Sequence, residues 1–240
     1  MLKGTKFAPA STTILHRLIL AIDGQEKHGK TSFACTAPGP IAIFNTDYGV
    51  MDVVPRFVLA GKEIFVSSYK IPASQKAAEA EWLRFRSEFI QALRECRSVV
   101  VDTATDIWEL IRLAEFGKLT QVKPHHYGSV NAIMRRLLRE SYDHEANLLL
   151  LHKVKKQYQE GKGGGGNWTG KWERAGFDET RHIVQSNLRC QRNGDGEFNT
   201  LIKDCRHDMQ LAGVQLEGDF NKFSQLAMLV FPNSQESDWA

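Results

Sequence analysis

The sequence predicts an α/β fold: a mostly parallel sheet flanked by helices, with an antiparallel hairpin towards its end. Three observations predict it. Short apolar runs alternate with longer stretches of helical periodicity. A glycine-containing turn joins the first apolar run to a segment able to open a helix. Asn193-Gly194-Asp195-Gly196 separates two strand-like segments and is a strong hairpin turn. No internal repeat and no linker divides the chain, so residues 1–240 are expected to form a single domain.

Composition sets the class. A hydrophobic fraction of 42% with 25% charged residues is that of an ordinary globular protein, large enough to bury a core without staples. Cys35, Cys96, Cys190 and Cys205 have neither C-x-x-C spacing nor paired histidines, which argues against zinc and against a disulfide framework and fits a reducing cytosol. No apolar run follows a basic start or approaches membrane-spanning length, so no membrane association is expected. The net charge of +3 permits a polyanionic partner without requiring one.

Arg17 to Asp23 has the character of a buried strand, and it runs into "AIDGQEKHGKTS". Gly24 and Gly29-Lys30-Thr31 complete the pattern G-x-x-x-x-G-K-[ST], which chance would place in a chain of this size roughly once in a hundred. The glycines let backbone N–H groups of Gly24, Gln25, Glu26, Lys27, His28, Gly29 and Ser32 turn towards phosphate oxygens. Lys30 neutralises β/γ charge, and the Thr31 hydroxyl ligates Mg²⁺. A helix over 31–36 would aim its positive end at the same anion. The ligand expected of this loop is a nucleoside triphosphate, ATP, with Mg²⁺.

Ile41 to Phe44 predicts a second strand, ending near Asp47. That carboxylate either polarises an attacking water or is merely a turn residue before Tyr48-Gly49. A short strand follows at 64–68. Residues 75–96 then predict a helix with Ala78, Trp82, Phe85, Phe89 and Leu93 on its core face. Ser98 to Asp102 is an apolar strand ending in a carboxylate. Asp102 either holds Mg²⁺ through water or caps a helix from Ala104, and a complete phosphate loop upstream favours the metal role. Residues 129–144 predict an amphipathic helix, and Asn147 to Leu151 a core strand that delivers His152 to the carboxyl edge of the sheet, where ligands bind in open α/β folds.

Residues 153–176 change character. Gly163 to Gly166 cannot extend a helix or strand, and around them stand Lys153, Lys155, Lys156, Lys162, Lys171 and Arg174, interleaved with Tyr158, Trp168 and Trp172. Cations and flat rings on a mobile loop suit single-stranded nucleic acid. The same composition also fits a surface loop folded back on the domain, or a lid over a small-molecule acceptor. Two strands, 181–192 and 197–204, form the hairpin. Leu226 to Phe231 belongs to the core, and the polar tail 234–240 is expected to be frayed.

Taken together, these segments resemble a RecA-type core, and in particular the phage single-strand annealing proteins of the Sak group that have a RecA-like ATPase fold. The resemblance runs along nearly the whole length, through "GQEKHGKTSFACTAPGPIAIFNTDYG", "SVVVDTATDIWE", "HHYGSVNAIMRRLL", "LLLLHKVKKQY", "AGFDETRHIVQSNLRCQR" and "DCRHDMQLAGVQLEG". It implies a RecA-like P-loop NTPase core in which Lys30 and Thr31 hold phosphate and Mg²⁺, with Asp102 as the metal carboxylate. Asp47 takes the place of a water-activating acid that is glutamate in RecA itself. His152 takes a γ-phosphate sensor position that is glutamine in RecA and histidine in some ring helicases. The next loop would contact DNA, through Lys162, Trp168, Lys171, Trp172 and Arg174, and Lys153 and Lys155 become candidate fingers into a neighbour's site.

The implied activity is ATP hydrolysis dependent on single-stranded DNA, in phage recombination within the cytoplasm of an infected bacterial host. The implied partners are single-stranded DNA, further copies of the chain in a filament or ring, and a single-strand-binding protein. The competing readings are a P-loop small-molecule phosphotransferase with 158–176 as its lid, and an ATP-gated binding protein with little turnover.

Overall fold

A computed structural model of the chain describes residues 15–117, 126–160, 166–193 and 195–239. Its strands are β1 (Ile19–Asp23), β2 (Ile41–Asn45), β3 (Ile64–Ser68), β4 (Ser98–Asp102), β5 (Asn147–His152), β6 (Val154–Glu160), β7 (Gly166–Arg174), β8 (Ser186–Arg192), β9 (Phe198–Cys205) and β10 (Gln215–Leu216). The helices are α1 (Lys30–Ala34), α2 (Val50–Leu59), α3 (Gln75–Glu95), α4 (Ala104–Phe116), α5 (Tyr127–Glu140), α6 (Thr180–Ile183) and α7 (Lys222–Val230). The main sheet has the order β10-β9-β8-β1-β5-β4-β2-β3, and β6 and β7 pair separately. From β8 to β3 every pairing is parallel, while β9 and β10 add antiparallel strands at one edge. The chain is therefore α/β with a mostly parallel central sheet and a C-terminal antiparallel hairpin.

Burial on both faces explains the unbroken apolar strands. Leu18, Leu20, Ile22, Val100, Leu149 and Leu151 point to one face, against Phe33 of α1, Phe57 of α2 and Phe223 of α7. Ile19, Ala21, Val99, Val101, Leu148 and Leu150 point to the other, against Phe85 and Phe89 of α3, Ile107 and Leu110 of α4, and Met134 of α5. Ser74 and Thr103 cap α3 and α4 by accepting from Ala77 N and Asp106 N. Among the described residues, no helix is long and apolar enough to cross a membrane.

Three expectations are corrected. Residues 153–176 are not an irregular glycine loop. Apart from 161–165, which lie outside the described residues, most of the segment is the β6–β7 hairpin, in which Tyr158 pairs with Trp168 and Lys156 with Trp172. Cross-strand aromatic pairing supplies what the glycines do not. The strand expected from Arg181 begins only at Ser186, because Thr180, buried and donating to Phe177 O, starts the helical turn α6 instead. The tail is docked rather than frayed as far as Trp239, whose indole is buried, stacks on Phe231 and donates to Ser234 Oγ.

Candidate functional site

The site occupies the carboxyl edge where β1, β5 and β4 lie side by side. β1 passes directly into the loop of residues 24–29, and α1 starts at Lys30. Both motif glycines are required by geometry. Gly29 caps α1 with φ +84°, and a Cβ on Gly24 would lie 2.5 Å from Cys190 O of β8. Lys30 Nζ lies across the loop, donating to Gly24 O and Gln25 O at 2.9 Å each. Thr31 Oγ1 donates to Asp102 Oδ2 at 2.7 Å, so the hydroxyl and the carboxylate expected to share a metal are in contact.

Asp102 does not cap α4, since Thr103 does. The Asp102 carboxyl is almost wholly buried, and burial pushes it up to about 6; Asp47 and Asp106 push the same way, against the hydrogen bond from Thr31 and the charge of Lys30. A carboxylate held so close to protonation gains most from a cation. Thr31 and Asp102 supply two hard oxygen positions, and Mg²⁺ characteristically takes only one or two protein ligands beside substrate phosphates and water. The residues fit that ion.

Asp47 sits exposed in the turn after β2, where Oδ1 accepts from Gly49 N at 3.3 Å. It is a turn residue by its hydrogen bonds, and its charge bears on Asp102. Its neighbour Thr46, which sequence reasoning missed, is more tightly built in. Thr46 Oγ1 lies 3.1 Å from Asp102 O and 3.0 Å from Asp106 Oδ2, and it accepts from Thr103 N.

His152 arrives at the edge as expected, in register with Asp23. Strand alternation turns it to the α4–α5 face, away from α1. The ring is fully buried, with neither nitrogen in ordinary hydrogen-bond geometry. Burial, reinforced by the nearby Arg174 charge, pushes it down to about 3, so it is neutral at pH 7; the Ala175 backbone and Asp23 only partly offset this.

On that same face Asp23, fully buried, receives three cations. Arg189 Nε is 2.6 Å from Oδ1, Lys203 Nζ is 3.4 Å from Oδ2, and Arg174 lies 3.5 Å from Oδ2. Burial opposes ionisation of Asp23, but these partners outweigh it and hold the carboxyl below its usual range. The expected DNA contact Arg174 is thus an inward anchor for β7, and Arg189 adds a bond to Trp172 O. Sequence reasoning missed this cluster, although an aspartate immediately before the loop glycine was its visible signal.

The hairpin has a second root. Lys153 Nζ pairs with Asp106 Oδ1 at 2.6 Å, and Lys153 N bonds Thr105 Oγ1. Lys155 faces Glu173 across the hairpin at 3.3 Å. Both candidate fingers are therefore engaged within their own chain. Trp168 and Tyr158 are about half exposed; Trp168 meets Trp172 edge-on, and Lys156 lies over the Trp168 ring. Lys171 is exposed, and Lys162 lies outside the described residues. A groove of about 480 Å³ between β3 and α3, lined by Phe65, Ser67 and Glu88, is remote from the loop and gathers no comparable chemistry.

Comparison with known proteins follows the same lines. No curated protein matches the chain. Among solved structures, the KaiC-like protein PH0186 from the hyperthermophilic archaeon Pyrococcus horikoshii OT3 aligns with a TM-score of 0.47 and 14% identity, over 82% of this chain and 84% of that one. A family model described as an AAA domain matches residues 16–195, from just ahead of β1 to the turn beyond β8. That span carries the phosphate loop, the Thr31–Asp102 contact and the strand between them, and by it the chain belongs to the AAA domain family of P-loop nucleotide-binding proteins.

Proposed function

We propose that this protein is an ATPase stimulated by single-stranded DNA, of the kind that serves phage recombination and single-strand annealing. The observation that carries this reading is the β6–β7 hairpin, which presents Tyr158, Trp168 and Lys171 outward while rooted at the edge that holds the phosphate loop. Exposed rings on a basic ribbon stack on bases without demanding sequence, and the cations meet phosphates. Lys30, now on the carbonyls of Gly24 and Gln25, would hold the β/γ-phosphates of ATP, and Thr31, with Asp102 through water, would hold Mg²⁺. Bound Mg²⁺ neutralises phosphate charge. The chain's own groups orient it: Thr46 buttresses the Asp102 backbone, and Asp47 stands at the turn from which an attacking water is polarised. Copies of the chain associate as a ring or filament on DNA, and a single-strand-binding protein is a further partner.

The deciding experiment is steady-state ATP hydrolysis with and without single-stranded DNA, with Lys30→Ala as the blank and Trp168→Ala/Trp172→Ala as the DNA-face variant. The expected result is DNA stimulation, turnover falling by on the order of a hundredfold or more in Lys30→Ala, and loss of stimulation with retained ATP binding in the double variant. Hydrolysis indifferent to DNA would move the assignment to a phosphotransferase or a nucleotide-gated binder.

A further inference from the structure

At the carboxyl end of β8 an aromatic–cation pair, outside the loop motif, stands against the phosphate loop. Arg192 closes β8, Phe198 opens β9, and the two are opposite one another in the ladder. The guanidinium carbon of Arg192 lies 4.4 Å over the Phe198 ring. The ring packs on Gly29: a Cβ there would lie 3.6 Å from its Cδ1. Cys190, two residues earlier on β8, points into the core beneath α1, so alternation places Arg192 and Phe198 on the face that carries the phosphate loop. After burial, the charges of Lys30 and Arg192 are what hold His28 of the loop below its usual protonation range, so Arg192 is within electrostatic reach of the loop. Lys222 of α7, itself buried, donates to Phe198 O at 3.1 Å and fixes the ring's backbone. Phe198 nonetheless keeps 40% of its surface exposed.

A single exposed aromatic needs no explanation by itself. This one touches the glycine that caps the phosphate-loop helix and carries a cation on its face. We infer that Arg192 and Phe198 form the base-recognition wall of the nucleotide site, with a purine stacking on the guanidinium–phenyl pair while its triphosphate enters the loop. Planar guanidinium and phenyl groups offer area and polarisable faces rather than hydrogen bonds to base edges. The wall therefore favours purine over pyrimidine nucleotides and discriminates little between ATP and GTP. This inference rests on the loop's taking a nucleoside triphosphate, and it is independent of DNA.

The test compares ATP with inorganic tripolyphosphate, which offers the same phosphates without a base. Affinities for both are measured by titration calorimetry with Mg²⁺ on the unaltered chain, Phe198→Ala and Phe198→Leu. Phe198→Ala is expected to weaken ATP binding about tenfold while tripolyphosphate binding stays within about twofold. Phe198→Leu retains apolar packing on Gly29 but offers no ring, and is expected to lose ATP affinity as Phe198→Ala does. Equal losses for both ligands would make Phe198 a prop for the loop and overturn the inference, as would unchanged affinity for both. Failure of the unaltered chain to bind either ligand would overturn the triphosphate reading and the base wall together.

Discussion

Asp102 and Asp23 both end central strands and are both buried, yet they point to opposite faces of one sheet and live in opposite electrostatic conditions. Asp102, on the α1 face, accepts a hydrogen bond from the Thr31 hydroxyl and is pushed up to about 6 by burial. Asp23, on the hairpin face, has three cations around it and is held below the usual carboxylate range. On the first face burial outweighs the Thr31 hydrogen bond and the charge of Lys30, and the proposed Mg²⁺ and nucleotide would complete it from outside. The second is completed by the chain itself. The difference teaches which face is built to exchange its contents and which to hold a structure in place.

The sharpest way to break this contrast is to neutralise each carboxylate in turn. Asp23→Asn leaves Arg174, Arg189 and Lys203 around an uncharged amide, and is expected to cost about 3 kcal/mol of folding stability by urea denaturation. Asp102→Asn removes a charge that folding keeps out of water, so at pH 7 stability is expected to be unchanged or raised, while Mg²⁺-dependent hydrolysis is lost. If both variants lost similar stability, the division of labour between the faces would be wrong.

Much of this was legible in the sequence because it is local. The G-x-x-x-x-G-K-T spacing, the apolar strands and the terminal Asp102 need only neighbours along the chain to be recognised, and the structure puts the Thr31 hydroxyl in contact with Asp102. The hairpin face was not legible in this way. Asp23, Arg189 and Lys203 come from β1, β8 and β9, which the sheet order sets side by side, and Arg174 comes from β7 of the separate hairpin, so no local stretch of sequence shows them together. Arg174 looked like a surface cation because nothing local reveals that its partner is Asp23. The Gly163–Gly166 run hid the hairpin for the opposite reason: its composition reads locally as a break, whereas the pairing of Tyr158 with Trp168 joins residues on either side of it. The buried Trp239 owes its place to Phe231 and Phe223, which a polar tail sequence does not announce.

His152 sharpens the contrast through pH. Its folded value of about 3 lies below the ordinary 6.5, so as pH falls through 6.5 the unfolded chain takes up a proton that the native chain refuses. Its contribution to stability is complete above pH 6.5 and is lost progressively on acidification, about 2 kcal/mol by pH 5. Asp102 has the opposite sign. Its raised value means that the native chain holds a proton more firmly, and stability falls as pH rises from about 4 to 6. His152→Gln should therefore remove only the first slope: relative to the parent, its urea-derived stability should improve by about 2 kcal/mol between pH 7 and pH 5. Parallel stability profiles for the two proteins would mean that the imidazole is hydrated or paired in solution, and that the hairpin face is more open than Asp23 suggests.

The smallest expected change in stability tests where the two faces meet. From the nucleotide face, Thr31 reaches Asp102, whose backbone carbonyl meets Thr46. Thr46 faces Asp106, and Asp106 holds Lys153 at the foot of the hairpin. Contact alone is not coupling, so the bridge has to be weakened without disturbing either end. Lys153→Met keeps the aliphatic stem and deletes the charge at a side chain that is half exposed, which limits the expected loss of stability to under about 1 kcal/mol. If the hairpin binds DNA as proposed and the Asp106–Lys153 pair transmits that occupancy, the variant should keep basal ATP turnover and DNA affinity while losing most of the DNA-stimulated increment. Arg at the same position restores a charge that can reach Asp106 and should recover part of it. Full stimulation in Lys153→Met would show that this pair does not carry the proposed coupling and would turn the test to the Asp23 cluster, which Arg174 joins at the end of β7.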